Sequence, residues 1–306
     1  MNAKDLKGNL FLLVATLIWG CTFVAQDIAA EIIGSFEFHA VRTLIGAAVL
    51  IPVILFMDAV KKKNGTYVKP TPKNKKDLIL GGIVCGFFHC TAAALQQFGI
   101  ALGTESGKAG FITAMYIIFV PVIGLFLKRK IQPHVYVCIA FAVAGLYLLS
   151  VTGGFTVQAG DAIMLICAIM FAFHIMSVDH FVNLADCVKL SFMQFVFSGA
   201  LAAVLTFIFE GGFHPALIKA AIGPILFAGV LSCGVAYTFQ IVGQNYSSSS
   251  TVASLIMSFE SVVAAVAGAI ILHQTMTARE FIGCAFMFTA IILSQIDFKA
   301  LSRKKG

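Results

Sequence analysis

The chain is a succession of apolar runs, each long enough to cross lipid and separated from the next by a short polar connection. A helix needs about 20 mainly apolar residues to traverse the hydrocarbon of a bilayer. Ten runs meet that requirement, at roughly 8–27, 37–57, 77–100, 107–127, 133–151, 160–178, 189–209, 221–243, 251–272 and 279–297. Only 11% of the 306 residues are charged and 59% are hydrophobic. Soluble domains carry about 25% charged residues, and a soluble core cannot hide this much apolar surface. The expected fold class is therefore an all-α polytopic membrane protein with ten transmembrane helices. The first run, preceded by Lys4 and Lys7, is read as a span rather than a cleaved leader, because it is long and lacks a clean A-x-A site.

Charge placement supplies an orientation. Lysine and arginine accumulate in cytoplasmic connections. With the N-terminus inside, all of the 21 basic residues except Arg42, Lys108, Lys219 and Arg279 fall on the cytoplasmic side. The expected location is the cell inner (plasma) membrane, with both termini cytoplasmic. The formal net charge of +7 is spread over short loops, with no arginine-rich helix, so no nucleic-acid partner is expected. The expected partners are a small-molecule solute and the lipid bilayer, with pairing into a homodimer left open.

Several chemistries are excluded by motif. The eight cysteines form no C-x-x-C pair and sit mostly inside apolar runs, where they read as small hydrophobes. No metal site and no cofactor is expected. Residues 102–109, LGTESGKA, look like a phosphate loop but fail on spacing, since three residues separate Gly103 from Gly107 and Ala109 follows Lys108. No H-E-x-x-H or G-x-S-x-G pattern occurs. No hydrophilic segment is long enough for a nucleotide-binding domain, which excludes an ATP-driven pump. The chain is not expected to be an enzyme.

Ten spans divide near residue 153 into five and five. An odd number per half inserts the second copy upside down, which is how many secondary transporters build two gates around a midplane site. The expected organisation is a first repeat over 1–152 and a second, inverted repeat over 153–306. Weak echoes support it: Gln96 precedes Phe98-Gly99 as Gln240 precedes Val242-Gly243, and FVPVIGLFL (119–127) corresponds to FESVVAAVAGAIIL (259–272).

These residues carry a family resemblance. IWGCTFVAQ (18–26), IGSFEFHAVRTLIGAAVLIP (33–52), LQQFGIAL and GKAGFITAMYIIFVP within 95–121, and FESVVAAVAGAIIL (259–272) resemble the ten-span EamA-type transporters of the drug/metabolite transporter superfamily. The resemblance covers essentially the whole chain. It departs at Glu260-Ser261, where Glu-Pro is common, at His273-Gln274, where Gly-Glu is common, and at Phe171-Ala172, where Trp-Ala is common. It implies secondary transport of small organic metabolites, with amino acids and related amphipathic solutes foremost and export as the direction.

Polar side chains at membrane depth are costly, so each is a candidate for function. Glu260 can hold a proton or a substrate amine, or bond to hydroxyls such as Ser258 and Ser261. His89 and His174 can change charge near neutral pH, and with Glu260 they are the proton-coupling candidates. His89 and Gln96 share a helical face, with Gln97 beside them. Tyr237 and Gln240, three residues apart, form a similar pair in the second half. Trp19 and Phe23 lie one turn apart and can face a ring-bearing solute, and Tyr116 is placed with them. Arg42 suits a carboxylate clamp, against an ion pair with Asp27 or Glu31, or snorkelling, as the favoured alternative. The alternative functions are an importer or facilitator of a vitamin or nucleobase-like solute and, more remotely, a lipid flippase or an intramembrane enzyme.

Overall fold

A computed structural model describes residues 3–104, 106–129, 131–150, 159–247, 249–271 and 277–294. All regular structure among them is helical: α1 (Ala3–Ala30), α2 (Ser35–Lys63), α3 (Pro72–Ala101), α4 (Ser106–Ala114), α5 (Tyr116–Phe126), α6 (Pro133–Ser150), α7 (Ala159–Phe181), α8 (Cys187–Phe209), α9 (Pro215–Ala220), α10 (Ile222–Leu226), a π-helical segment (Phe227–Tyr237), α11 (Thr238–Tyr246), α12 (Ser250–Met257), α13 (Glu260–Ile271) and α14 (Ala278–Ser294). Among the described residues, eight helical stretches are long and apolar enough to cross a membrane, and Pro133–Leu148 forms a shorter apolar helix. The tenth expected run is the 17-residue α14, and its expected end at 297 lies outside the described residues. So does the 152/153 repeat boundary.

Helix is the only open-chain answer to hydrocarbon, because every backbone N–H and C=O must be bonded within its own segment. Three of the expected spans obey that rule with interruptions. The fourth run breaks at Met115, between α4 and α5. The ninth breaks at Ser258 and Phe259, between α12 and α13. The eighth passes through eleven residues of π-helix, a geometry frequent at functional sites. In the fourth, Pro121 lies within α5 just past the break and removes a backbone donor.

Packing follows a regular scheme. α3 lies between α7 and α8, α2 lies between α8 and the π segment, and α1 packs on α11, the π segment and α13. α4 and α5 pack on α7, α4 meets α13, α5 meets α12, and α6 pairs with α14. Small residues permit the close crossings. A Cβ added at Gly20 would lie 2.4 Å from the Cβ of Val263, and one at Gly46 would lie 2.5 Å from the Cβ of Cys233. α1 and α13, like α2 and the π segment, therefore touch backbone to side chain with nothing between them.

The α2–α8 pair is braced at both ends. At the C-terminal end of α2, Lys61 pairs with Asp186 at 2.8 Å and Lys189 pairs with Asp58 at 2.7 Å. At its N-terminal end, Glu210 accepts the backbone N–H groups of Phe36 and Glu37 at 2.9 and 2.8 Å, an anion on a helix N-terminus. Glu37 in turn accepts from the backbone and ring of His214. The α7 helix is held to the fourth run in the same way, by Lys108–Asp161 at one end and Arg129–Asp179 at the other.

Asp186 also caps α8, accepting from the N–H groups of Val188 and Lys189. Burial works against its charge, but the Lys61 ammonium and the Lys189 N–H hold the carboxyl below its ordinary range. Its stabilising contribution is thus present above the unfolded carboxylate pKa of about 3.9 and is lost as pH falls through the lower folded value. Asp186→Ala should cost about 1 kcal/mol as a lost cap. The loss should be measurable in detergent as a lower unfolding midpoint at pH 7, and should vanish at pH values acid enough to protonate the wild-type carboxylate.

Candidate functional site

The two breaks and the π segment converge on one buried cavity. Its walls come from α1 (Trp19, Thr22, Phe23, Gln26), α2 (Arg42), α3 (Gln96), α4 and α5 (Thr113, Tyr116), α7 (Phe171, Ile175), the π segment and α11 (Ser232, Tyr237, Gln240), and α12 and α13 (Met257, Glu260). The free volume is about 40 Å³. A water molecule needs roughly 10–15 Å³ of such volume, so the space holds a few waters and not a metabolite. A larger solute enters only if the surrounding helices separate.

Each wall residue is placed by a local cause. Trp19, Phe23 and Gln26 recur at helical spacing on α1 and form one stripe. Trp19 lies 4.8 Å from Tyr237, ring centre to ring centre. Gln26 donates to Oε1 of Gln96 at 2.9 Å and to Oε1 of Gln97 at 3.2 Å, while Gln97 donates back to the Gln26 carbonyl at 2.9 Å. Gln96 donates onward to Thr113 at 3.1 Å. This amide ladder ties α1, α3 and α4 together and leaves Gln96 in the wall, with Gln97 behind it. In the second half, Gln240 donates to Gln244 at 3.1 Å, and Gln244 donates to the Ile175 carbonyl at 3.0 Å.

Glu260 opens α13 right after the break and accepts from the Tyr116 hydroxyl at 3.1 Å, so the two interrupted runs meet across the cavity. The expected alternative, a bond to Ser258 or Ser261, is not what occurs. Ser258 bonds the Leu255 carbonyl, and Ser261 bonds the carbonyls of Gly110 and Ser258.

Arg42 corrects the sequence expectation. It neither snorkels nor pairs with Asp27 or Glu31. It is 3% exposed, lies over the Phe38 ring and donates from Nε and Nη2 to Nδ1 of His39 at 3.3 and 3.2 Å. No carboxylate among the described residues forms an ion pair with it. A buried guanidinium without a counter-ion is costly and favours an anion brought from outside.

His89 and His174 stand one layer behind the wall. His89 lies perpendicular to Tyr237 at 4.5 Å, and His174 donates from Nε2 to Oε1 of Gln194 at 3.0 Å. Of the residues singled out from sequence, Trp19, Phe23, Arg42, Gln96, Tyr116, Tyr237, Gln240 and Glu260 share the cavity, whereas Gln97, His89 and His174 do not line it. Sequence reasoning missed Thr22, Gln26, Thr113, Phe171, Ile175, Ser232 and Met257. Thr22 and Gln26 had a legible signal, their places one and two turns beyond Trp19 on the same face.

Two cavity-lining side chains carry polar atoms that are buried and unpartnered: the Trp19 indole N–H and the Gln240 carbonyl oxygen. One is a donor and the other an acceptor. Together with Arg42 and Glu260 they present two donors and two acceptors to whatever occupies the space.

Membrane-length helices closing around a small cavity of mixed apolar and polar lining are the architecture of a polytopic membrane transporter. The chain belongs to the EamA-like transporter family, which matches it twice, over residues 6–151 and 158–295. It is 28% identical over 302 residues to an uncharacterized transporter of Archaeoglobus fulgidus, covering 95% of this chain and 87% of that one. It is 24% identical over 307 residues to the uncharacterized transporter YoaV of Bacillus subtilis, covering 98% and 99%. A crystal structure at 18% identity superposes with a TM-score of 0.74 over 96% of this chain and 98% of that one, a likeness of fold.

The amide ladder makes a stability prediction. Gln26→Leu removes the donor that serves both Gln96 and Gln97 and leaves their buried oxygens without it. The expected cost is about 1–3 kcal/mol, read as a lower thermal midpoint of the purified protein. Gln26→Asn, which keeps the amide on a shorter arm, should recover part of it.

Proposed function

We propose that the protein is a secondary active transporter of amino acids and related amphipathic solutes, working by alternating access and driven by a proton gradient. The observation that carries this reading is the chemistry of the cavity. Arg42 supplies a cation for a carboxylate, Glu260 and the Gln240 oxygen face a substrate ammonium, and Phe23, Phe171 and Ile175 offer an apolar wall for a side chain. A zwitterion with an apolar tail meets all three requirements at once.

Two inverted five-helix repeats, 1–152 and 153–306, support the mechanism. The family matches fall one in each half. The packing reads the same when the halves are exchanged: α1 meets the eighth run as α7 meets α3, α1 meets the ninth as α7 meets the fourth, and α2–α8 and α6–α14 pair with themselves. Interrupted helices at the repeat interface are where such transporters hold their solutes. In this reading both termini are cytoplasmic in the plasma membrane. The Lys61–Asp186 and Lys189–Asp58 pairs form an inner latch and Glu210 on α2 an outer one, and one latch opens at a time. The outward direction rests on the family resemblance alone. The proposal requires no dimer.

A thermal-shift screen of the purified protein tests the substrate class, since a ligand of the folded state stabilises it in proportion to occupancy. L-Phenylalanine should stabilise more than 3-phenylpropionate, which lacks the amine, or phenethylamine, which lacks the carboxylate. Glu260→Gln keeps an acceptor for Tyr116 but loses the charge, and should weaken phenylalanine about tenfold, or ~1.4 kcal/mol, while leaving 3-phenylpropionate unchanged. Stabilisation by a nucleobase or vitamin and by no amino acid would select the importer reading instead. In proteoliposomes, an imposed pH gradient should drive phenylalanine flux in the wild type, and a cysteine pair locking residues 61 and 186 should stop it.

A further inference from the structure

Behind Arg42 runs a hydrogen-bonded row of buried groups that the cavity itself does not use. Nε2 of His39 lies 2.9 Å from the Ser198 hydroxyl, and the same hydroxyl lies 2.9 Å from Nδ1 of His89. All three side chains are fully buried, and they come from α2, α8 and α3. The His39 and His89 rings are 5.2 Å apart, and His174 follows at 5.6 Å from His89.

The polarity of this row is set at its Arg42 end. A guanidinium can only donate, so Nδ1 of His39, which receives Arg42, is an acceptor and carries no proton. The His39 ring is then neutral with its proton on Nε2, donating to Ser198. The hydroxyl keeps its own proton and a second lone pair, and the row is continuous in the arrangement where Ser198 turns that proton to Nδ1 of His89 and the His89 proton sits on Nε2. Nε2 of His89 is buried without a partner, as is Nδ1 of His174. One obligate donor, which lines the cavity, fixes the His39 end of the row.

We propose that this row is the proton site of the transporter, and that Arg42 connects it to the solute. The inference rests on the carboxylate-binding reading of Arg42. A carboxylate arriving in the cavity offers the guanidinium a bidentate, charge-assisted partner, which is stronger than a long bond to a neutral imidazole. Arg42 turns to it and gives up Nδ1 of His39. That lone pair takes a proton from the open aqueous side. As Nδ1 gains its proton, Nε2 passes its own to Ser198, and Ser198 passes its hydroxyl proton to Nδ1 of His89. One proton enters, His39 and Ser198 end neutral, and the imidazolium charge rests on His89 beside the perpendicular Tyr237 ring. Carboxylate and proton are thus taken up together. The groups facing the row from the surrounding helices are Cys90 on α3, Cys233 and Tyr237 on the π segment and His174 on α7. None of them is a carboxylate, and Glu37 engages His214 at the end of α2.

The test uses acetate as a minimal carboxylate probe. Histidine ¹⁵N spectra of the purified full chain, assigned with His39→Gln and His89→Gln variants, should show both rings as Nε2–H tautomers at pH 7 with chloride alone. Replacing chloride by acetate at constant ionic strength should bring an imidazolium signal at His89 and uptake of about one proton per protein at saturation. Arg42→Met should abolish the acetate response. Ser198→Ala should keep the uptake but leave the imidazolium on His39. An Nδ1–H His39 in chloride, silence of the wild-type histidines towards acetate, or an acetate response that survives Arg42→Met would each overturn the proposal. These readouts need no flux. Amino-acid transport without acetate-linked proton uptake therefore sinks the row and spares the transport reading, and proton uptake without amino-acid binding does the reverse.

Discussion

Hydrocarbon offers no hydrogen-bond partner, and nearly every feature of this molecule follows from that deprivation. Polar atoms inside the bundle must find one another. The backbone answers with helices, and the serines and threonines of the spans bond back to carbonyls three or four residues earlier, as Thr22, Thr43 and Ser254 do. The amides answer with a ladder from Gln26 through Gln96 and Gln97 to Thr113. Against so complete a set of internal partners, the exceptions stand out. The Trp19 N–H, the Gln240 oxygen and the uncompensated Arg42 charge gather in one cavity, and unpaired imidazole nitrogens gather directly behind it.

The same constraint explains where the helices fail. An interruption frees backbone groups that lipid would punish, so it survives only where it lines a protected space. The breaks at Met115 and at Ser258–Phe259 both do so, and they bring Tyr116 and Glu260 within a hydrogen bond of each other. Around this weak middle the bundle is braced at its rims, where water screens the ion pairs. Each rim bond is modest by itself, which suits contacts that have to be exchanged in a transport cycle.

Family membership, membrane-length helices and most of the cavity were legible in the chain. Trp19 and Phe23, and Tyr237 and Gln240, share faces by helical spacing alone, and polar residues such as Glu260 and Gln96 are conspicuous in apolar runs. Arg42 was legible as a residue and misread as a contact, because the nearest acids in sequence, Asp27 and Glu31, suggested an ion pair. His39, sitting one turn before Arg42 in a polar helix start, drew no notice. Ser198 and Thr113 look like any small hydroxyl in a span, and Phe171, Ile175 and Met257 like any lipid-facing hydrophobe.

What the sequence determined by itself is therefore the solvent and the secondary structure, since both follow from local hydropathy and from the cost of bare backbone in lipid. It also determined which side chains are expensive enough to need a reason. Which of them meet was decided only by the tertiary structure. Helix order in a bundle depends on small-residue crossings such as Gly20 on Val263 and Gly46 on Cys233, and these bring together residues separated by one hundred positions or more. The contact between His39, Ser198 and His89 joins three helices through a single hydroxyl, and no periodicity within any one of them encodes it.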